Sequence, residues 1–220
     1  MSGAEAAASR VPPVVFVPND PIEPLLAAEP DRFGAVLESR ALLAWRERVY
    51  LYAAVFARAP ERCLEVGVFE GHSSKIIHAA LADLGRGRLV AVDPDPKVTF
   101  DWDREVGDRA MLVRGRSPDD LAAATDAAGG PFDFVFLDAF HEYEDVLADL
   151  RGIVGVTRPG AMILVHDAYY EPSRAAMDDA IVDGLPLTDC GIVCTTKSDG
   201  TQDGRPVSYC GFRQFVRAWG

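Results

Sequence analysis

The sequence predicts an α/β domain built on a doubly wound, mostly parallel seven-stranded sheet that closes with a C-terminal antiparallel hairpin. Three observations predict it. Short apolar runs alternate with amphipathic stretches from residue 60 onward, each apolar run gives way to polar or acidic residues, and the tail breaks the rhythm with two strand-like segments around a turn-rich linker. Short strands each followed by a helix bury both faces of a sheet only when the strands run parallel with helices on either side.

Taken in order, residues 11–31 hold Pro12, Pro13, Pro18, Pro21, Pro24 and Pro30. That density makes an extended arm with at most a short helix near Pro24 to Ala28. Val36 and Leu37 can begin an earlier helix. Leu42, Trp45, Val49, Tyr52 and Phe56 recur at steps of three and four, so one helix face runs toward Arg58. Residues 1–58 therefore form an N-terminal arm with helices, and residues 59–220 the domain proper. Within that domain CLEVGV is the first strand and SSKIIHAALADL its helix, then comes RLVAVDP with a mixed polar segment behind it. AMLVRG is followed by SPDDLAAATDAA, FDFVFLDA by HEYEDVLADLRGIV, and GAMILVHDA by a polar helix from Pro172 to Val182. CGIVCTT and PVSYCGFRQFVRA flank KSDGTQDGR and read as the hairpin.

A chain of 220 residues that is 49% apolar can bury one substantial core. Its net charge of -12, from 34 acidic against 22 basic residues, argues against a nucleic-acid partner, because phosphate binding draws on clustered Lys and Arg. MSGAEAAASR has no signal-peptide core, and no apolar run approaches the roughly 20 residues that span a bilayer. The expectation is a cytoplasmic protein with no membrane partner. The four cysteines do not form a disulfide framework: Cys63 lies in a strand, Cys190 and Cys194 have a CxxxC spacing that could hold a metal but lack a second pair, and Cys210 is isolated.

Ligands of an open parallel sheet bind at the carboxyl ends of the strands. The first such junction reads EVGVFEGHSS, where Gly67 and Gly71 can leave room for a ligand and Ser73 or Ser74 can cap the next helix. Asp93, roughly 20 residues further on, can accept both hydroxyls of a ribose. Ser117 in GRSPDD can cap a helix and face a base, and Asp138 and His166-Asp167 end the fourth and fifth strands. The turn reads GVFEG rather than GxGxxG, which disfavours a pyrophosphate, while Glu65 would repel phosphate and suits a cationic amino group. The ligand so described has a ribose, a base and a positively charged tail.

Other readings stand beside these. Asp138 could cap the helix that begins near His141, and His141 and His166 could be structural histidines. Tyr169 and Tyr170 could pack on a substrate or within their loop. His72 and His78 carry no assigned role, and Asp101, Asp103 and Glu105 read as a solvated face.

On the ExGxxxG turn, Asp93 and the hairpin, residues 60–217 resemble the class I S-adenosylmethionine-dependent methyltransferases. FDFVFLDAFHEYEDVLADL followed by PGAMILVHD is similar to the small-molecule O-methyltransferases of the macrolide-sugar and catechol type. The resemblance implies a Rossmann-like fold and methyl transfer from S-adenosylmethionine to a hydroxyl of a small molecule, a natural product or its sugar, by a homo-oligomer. It implies that Glu65, Gly67, Gly71 and Ser73 surround the methionine moiety, that Asp93 binds the ribose and that Ser117 lies near the adenine. In metal-using relatives, acidic residues after the fourth and fifth strands hold a divalent ion. Those positions are Asp138, His166 and Asp167 here, which would make magnesium or manganese a second cofactor. The histidine departs from the pattern, because magnesium prefers hard oxygen ligands. His141 stands where relatives carry a basic group that takes the acceptor proton, so the catalytic candidates are His141 and Asp138. Residues 1–58 would be a lid or a dimer contact. The alternative is a non-methylating, cofactor-binding auxiliary subunit of a tailoring enzyme, and a nucleotide-dependent oxidoreductase ranks behind both.

Overall fold

A computed structural model describes Val36 and residues 39–219. The proline-rich arm and its expected helix near Pro24 lie outside the described residues. Five parallel strands, β1 (Arg62–Val66), β2 (Arg88–Asp93), β3 (Ala110–Arg114), β4 (Phe132–Leu137) and β5 (Thr157–Val165), form the body of one sheet. Its seven strands run in the order β3-β2-β1-β4-β5-β9-β6. Here β6 (Leu187–Cys194) and β9 (Phe212–Arg217) are the antiparallel pair that closes the sheet.

The expected turn between those two strands is more than a turn. Residues Ser198–Gln202 (β7) and Arg205–Tyr209 (β8) pair into a ribbon of their own. Asp203 and Gly204 both take positive φ there, the geometry of a tight two-residue hairpin.

Helices α1 (Trp45–Arg58), α2 (His72–Leu84), α4 (Leu121–Ala128), α5 (Tyr143–Val156) and α6 (Glu171–Val182) cover the sheet. The mixed polar segment after β2 holds a single turn, α3 (Trp102–Glu105), whose first amide region is capped by the Asp101 carboxylate. Strand side chains alternate between faces, so Leu64 and Val66 join the core under α4, α5 and α6, while Cys63, Phe134 and Phe136 join the core under α1 and α2. Each fully buried Phe contributes about 1.5–3 kcal/mol relative to exposure. Among the described residues no helix is long and apolar enough to cross a membrane.

The inner face of α1 differs from the expected one. Leu42 precedes the helix and is 77% exposed, Phe56 is 38% exposed, and the buried residues are Glu47, Leu51, Tyr52 and Val55. Glu47 sets this start: its carboxylate accepts the Ala44 amide at 2.7 Å, so the helix begins three residues beyond Leu42. Residues 45–58 share a core with the sheet.

Candidate active site

The carboxyl ends of β1 to β5 open onto a cavity of about 620 Å³. Gly67, Ser73, Asp93, Ser117, Asp138, His141, His166 and Asp167 all reach its wall, while Glu65 and Gly71 do not. A larger open groove of about 1230 Å³ lies at the opposite ends of β1, β2 and β3, lined by Arg62, Arg88 and Arg109 among others. Ligands of such sheets bind at the carboxyl ends, so the smaller cavity is the site.

The two glycines of the first turn answer to protein atoms rather than to ligand space. Gly67 has φ +91°, and a Cβ there would stand 2.0 Å from the Asp138 carbonyl oxygen, where β4 crosses the turn. Gly71 has φ +83° and begins α2, and a Cβ there would meet the Phe100 ring at 2.9 Å. Nor do the serines cap the helix, since that place belongs to Gly71. Ser74 instead donates its hydroxyl to Glu65 Oε2, and Ser73 is buried against the cavity.

Glu65 is fully buried behind the turn, and its Oε1 has no hydrogen bond among the described residues. Burial pushes its carboxyl up to about 8, against the opposing pull of the Ser73 and Ser74 hydroxyls. A buried carboxyl in that position would gain from a nearby cation.

Asp93 has less to offer a ribose than its sequence position implies. Its Oδ2 accepts the Val68 and Phe69 amides at 2.8 and 3.0 Å, and its Oδ1 accepts the Asp95 amide at 2.8 Å. Of about four acceptor positions on a carboxylate, three are taken, which leaves one ribose bond rather than a bidentate pair. Ser117 does not cap a helix either. Asp120 is the residue before α4, and its carboxylate accepts the Arg116 amide at 2.7 Å. Ser117 Oγ is buried and unbonded among the described residues.

At the ends of β4 and β5, Asp138 does not cap α5, which follows Glu142. His166 Nδ1 lies 2.9 Å from Asp138 Oδ1 instead. His166 Nε2 faces Glu47 Oε1 at 3.4 Å, outside hydrogen-bond geometry. Burial alone would lower the imidazole, but the Asp138 charge and hydrogen bond, with Cys210 and Glu47 beside it, hold His166 well above its ordinary value. Burial opposes ionisation of Asp138 too, yet His166 keeps that carboxyl below its usual range. The result is a buried imidazolium between two carboxylates. Glu47 anchors it from α1, accepting the Ala44 amide with one oxygen and the Gly211 amide, at 2.6 Å, with the other.

Of the three positions expected to hold a divalent ion, His166 Nδ1 is engaged with Asp138 Oδ1, and Asp167 Oδ1 stands 3.8 Å from that nitrogen while accepting the Cys210 amide at 2.6 Å, so the hard donors that face the cavity are the second oxygens of Asp138 and Asp167. The donor atoms of Glu47, His166 and Cys210 come within 4.8 Å of one another, but the Glu47 oxygens are already engaged. Cys190 and Cys194 belong to no such convergence among the described residues.

His141 lies beside Asp167 at the edge of the site. Its Nε2 stands 3.5 Å from Asp167 Oδ2, its side chain is 38% exposed, and it reaches the cavity wall. Of the residues left unassigned by sequence, His72 lines the cavity beside Thr99, and His78 pairs on the surface with Asp108. Glu105 pairs with Lys75, and Tyr170 stacks on Tyr209 at 5.2 Å rather than entering the cavity. Sequence reasoning missed Glu47, Asp149 and the neighbourhood of Cys210. Only Asp149 had a signal, lying four residues after Asp145 on one helix face.

A sheet of this strand order, with a glycine turn after β1, an acid after β2 and a cavity over the carboxyl ends, defines the class I methyltransferase fold. The family profile described as a methyltransferase domain matches residues 64–168. Catechol O-methyltransferase of Mycobacterium tuberculosis is 31% identical over 150 residues, which are 66% of this chain and 65% of that protein. The chain thus spans just under two thirds of that relative's length. The O-methyltransferase from Bacillus cereus, solved in complex with SAH, is similar with a TM-score of 0.60 and 18% identity over 91% of this chain and 93% of its own. TomG from Streptomyces achromogenes, an O-methyltransferase involved in tomaymycin synthesis and solved with SAM, gives 0.60 and 21% over 93% and 92%. Residues 64–168 thus match a methyltransferase domain, and the described residues share the fold of these solved O-methyltransferases.

Proposed function

We propose that this protein transfers the methyl group of S-adenosylmethionine to a hydroxyl of a small natural product. The observation that carries the proposal is His141, backed by Asp167, on the same cavity wall as Gly67, Ser73 and Asp93. Glu65, buried behind that wall, suits the charged tail of the donor, Asp93 one ribose hydroxyl, and Ser117 the base.

Methyl transfer from a sulfonium needs alignment and the removal of one proton. The acceptor oxygen forms its bond to the methyl carbon as the S–C bond breaks, and the sulfur keeps the electron pair. The hydroxyl proton passes to His141 Nδ1, the nitrogen facing away from Asp167, whose carboxylate favours the tautomer with its hydrogen on Nε2. Asp138, held through Oδ1 by His166, lies on the same wall as His141. The mouth of the cavity carries exposed Leu42, Phe69 and Phe140, which suits an apolar or aromatic skeleton rather than a bare sugar. Arg40, Ala41 and Leu42 line the same mouth, in keeping with a lid role for the N-terminal residues.

The test is methyl transfer from labelled donor to a panel of phenols, catechols and glycosides, with donor and SAH affinity measured by calorimetry. Turnover with a hydroxyl acceptor supports the proposal. Tight SAH binding without turnover of any acceptor would instead mark an auxiliary subunit, and absence of binding would remove the donor site.

A further inference from the structure

His166 offers two ring nitrogens, and only one of them is used by its bond to Asp138. Nδ1 lies 2.9 Å from Asp138 Oδ1. Nε2 belongs to a side chain that is 6% exposed, and it has no hydrogen-bond partner among the described residues. A buried nitrogen in that state calls for a partner. Three parts of the chain converge there. Glu47 comes from the first turn of α1, His166 follows β5 and Cys210 joins β8 to β9, and one donor atom from each lies within 4.8 Å of the others. Neighbouring bonds hold the group in place. Cys210 takes φ +69°, a left-handed backbone that a non-glycine residue keeps only where its surroundings fix it. Asp167 accepts the Cys210 amide and Glu47 the Gly211 amide, each at 2.6 Å. His166 and Cys210 also line the cavity, which gives a path from solvent.

We propose that Glu47, His166 and Cys210 form a binding site for zinc or an ion of its class, with His166 bonded through Nε2 and a fourth position open to the cavity. Oxygen, nitrogen and sulfur from three residues, with one position left over, make the ligand set of an open tetrahedral zinc site, and the thiolate makes it a poor one for magnesium. The distances suit it. Bonds of about 2.0–2.3 Å set tetrahedral ligand atoms about 3.3–3.8 Å apart. Nε2 already stands 3.4 Å from Glu47 Oε1. Asp138 supplies the outer partner of a metal-bound imidazole, since a proton kept on Nδ1 and donated to a carboxylate leaves Nε2 as the ligand. Glu47 has room for the bond, because each of its oxygens accepts one amide and a carboxylate has about four acceptor positions. Charge is conserved as well. The ion replaces the proton on Nε2 and the proton of the Cys210 thiol, and both pass to solvent. This group is distinct from the cavity-facing oxygens of Asp138 and Asp167, and the inference does not rest on the donor site.

Cobalt and zinc titrations of the reduced protein test it. Cobalt should bind with the thiolate-to-cobalt charge-transfer absorption and the visible bands of a tetrahedral ion, and zinc should displace it while excess magnesium does not. Cys210→Ser should remove that absorption and weaken zinc by more than about 100-fold against a competing chelator, a larger loss than an outer-shell partner causes. Cys190→Ser should change neither. In the unaltered protein zinc should also slow alkylation of Cys210 by iodoacetamide, mapped by peptide mass spectrometry. Absence of cobalt binding, or binding without thiolate absorption, overturns the inference. So does absorption that survives in folded Cys210→Ser or is lost in Cys190→Ser. Alkylation of Cys210 at one rate with and without zinc overturns it even if the Cys210 variant does not fold.

Discussion

His141 Nε2 stands 3.5 Å from Asp167 Oδ2, and both side chains face the cavity. A base so oriented should be needed for the chemical step and not for donor binding. His141→Ala should lower kcat by about 10²- to 10⁴-fold, the usual worth of a positioned base. SAH affinity by calorimetry should not change. A variant with full turnover would show that the proton leaves by another route.

With a proton between His166 and Asp138, turnover should survive excess EDTA. Rates measured before and after chelation decide it. Activity abolished by EDTA and restored by magnesium would mean that the imidazole yields its place to a metal.

Glu65 makes stability depend on pH in a defined direction. Its folded value of about 8 lies above the ordinary 4.5, so its contribution is fully present below 4.5 and is lost as pH rises through 8. The loss between those limits is on the order of 4 kcal/mol. Glu65→Gln should remove this slope and melt higher than the parent at pH 8, while losing donor affinity. Donor binding to the parent near pH 7 should release protons, which calorimetry in buffers of different ionisation enthalpy reads directly.

The His166–Asp138 pair behaves in the opposite sense at each end. The raised His166 contributes stability that is present below 6.5 and lost as pH rises through its folded value. The lowered Asp138 contributes stability that is present above 3.8 and lost as pH falls through its own. At neutral pH both are in place, and Asp138→Ala, which leaves a buried cation behind, should cost about 3–5 kcal/mol in denaturant unfolding.

Gly67→Ala should fail to give folded protein, because its Cβ would overlap the Asp138 carbonyl at 2.0 Å on a backbone at φ +91°. The expected cost exceeds about 4 kcal/mol. Circular dichroism of a soluble variant with native helix content would contradict this.

The sheet was legible because its signal is long-range and repeated: strands from CLEVGV to GAMILVHDA are apolar throughout, as strands buried on both faces must be. Site positions were legible for the same reason, since each falls where an apolar run stops. What those residues do was harder to read. The spacing of Gly67 and Gly71 announces a tight turn but not what crosses it, and β4 and Phe100 lie dozens of residues away in sequence. The face of α1 was misplaced because a buried charge, Glu47, sits where the apolar pattern calls for solvent. Asp93 and Ser117 could not be read alone, because Asp93 is held by backbone amides and Ser117 is buried beside Asp149 of another helix.

The position of Glu47 bears on how this protein can be engineered. Its carboxylate starts α1, secures Gly211 between β8 and β9, and balances the buried charge of His166. A chimera that exchanges everything before residue 59 for the corresponding part of a relative would therefore transplant a counter-ion along with a helix. Such grafts should work only from donors that bring an acid to the same place, and acceptor range is better altered by changing Leu42, Phe69 and Phe140 in situ.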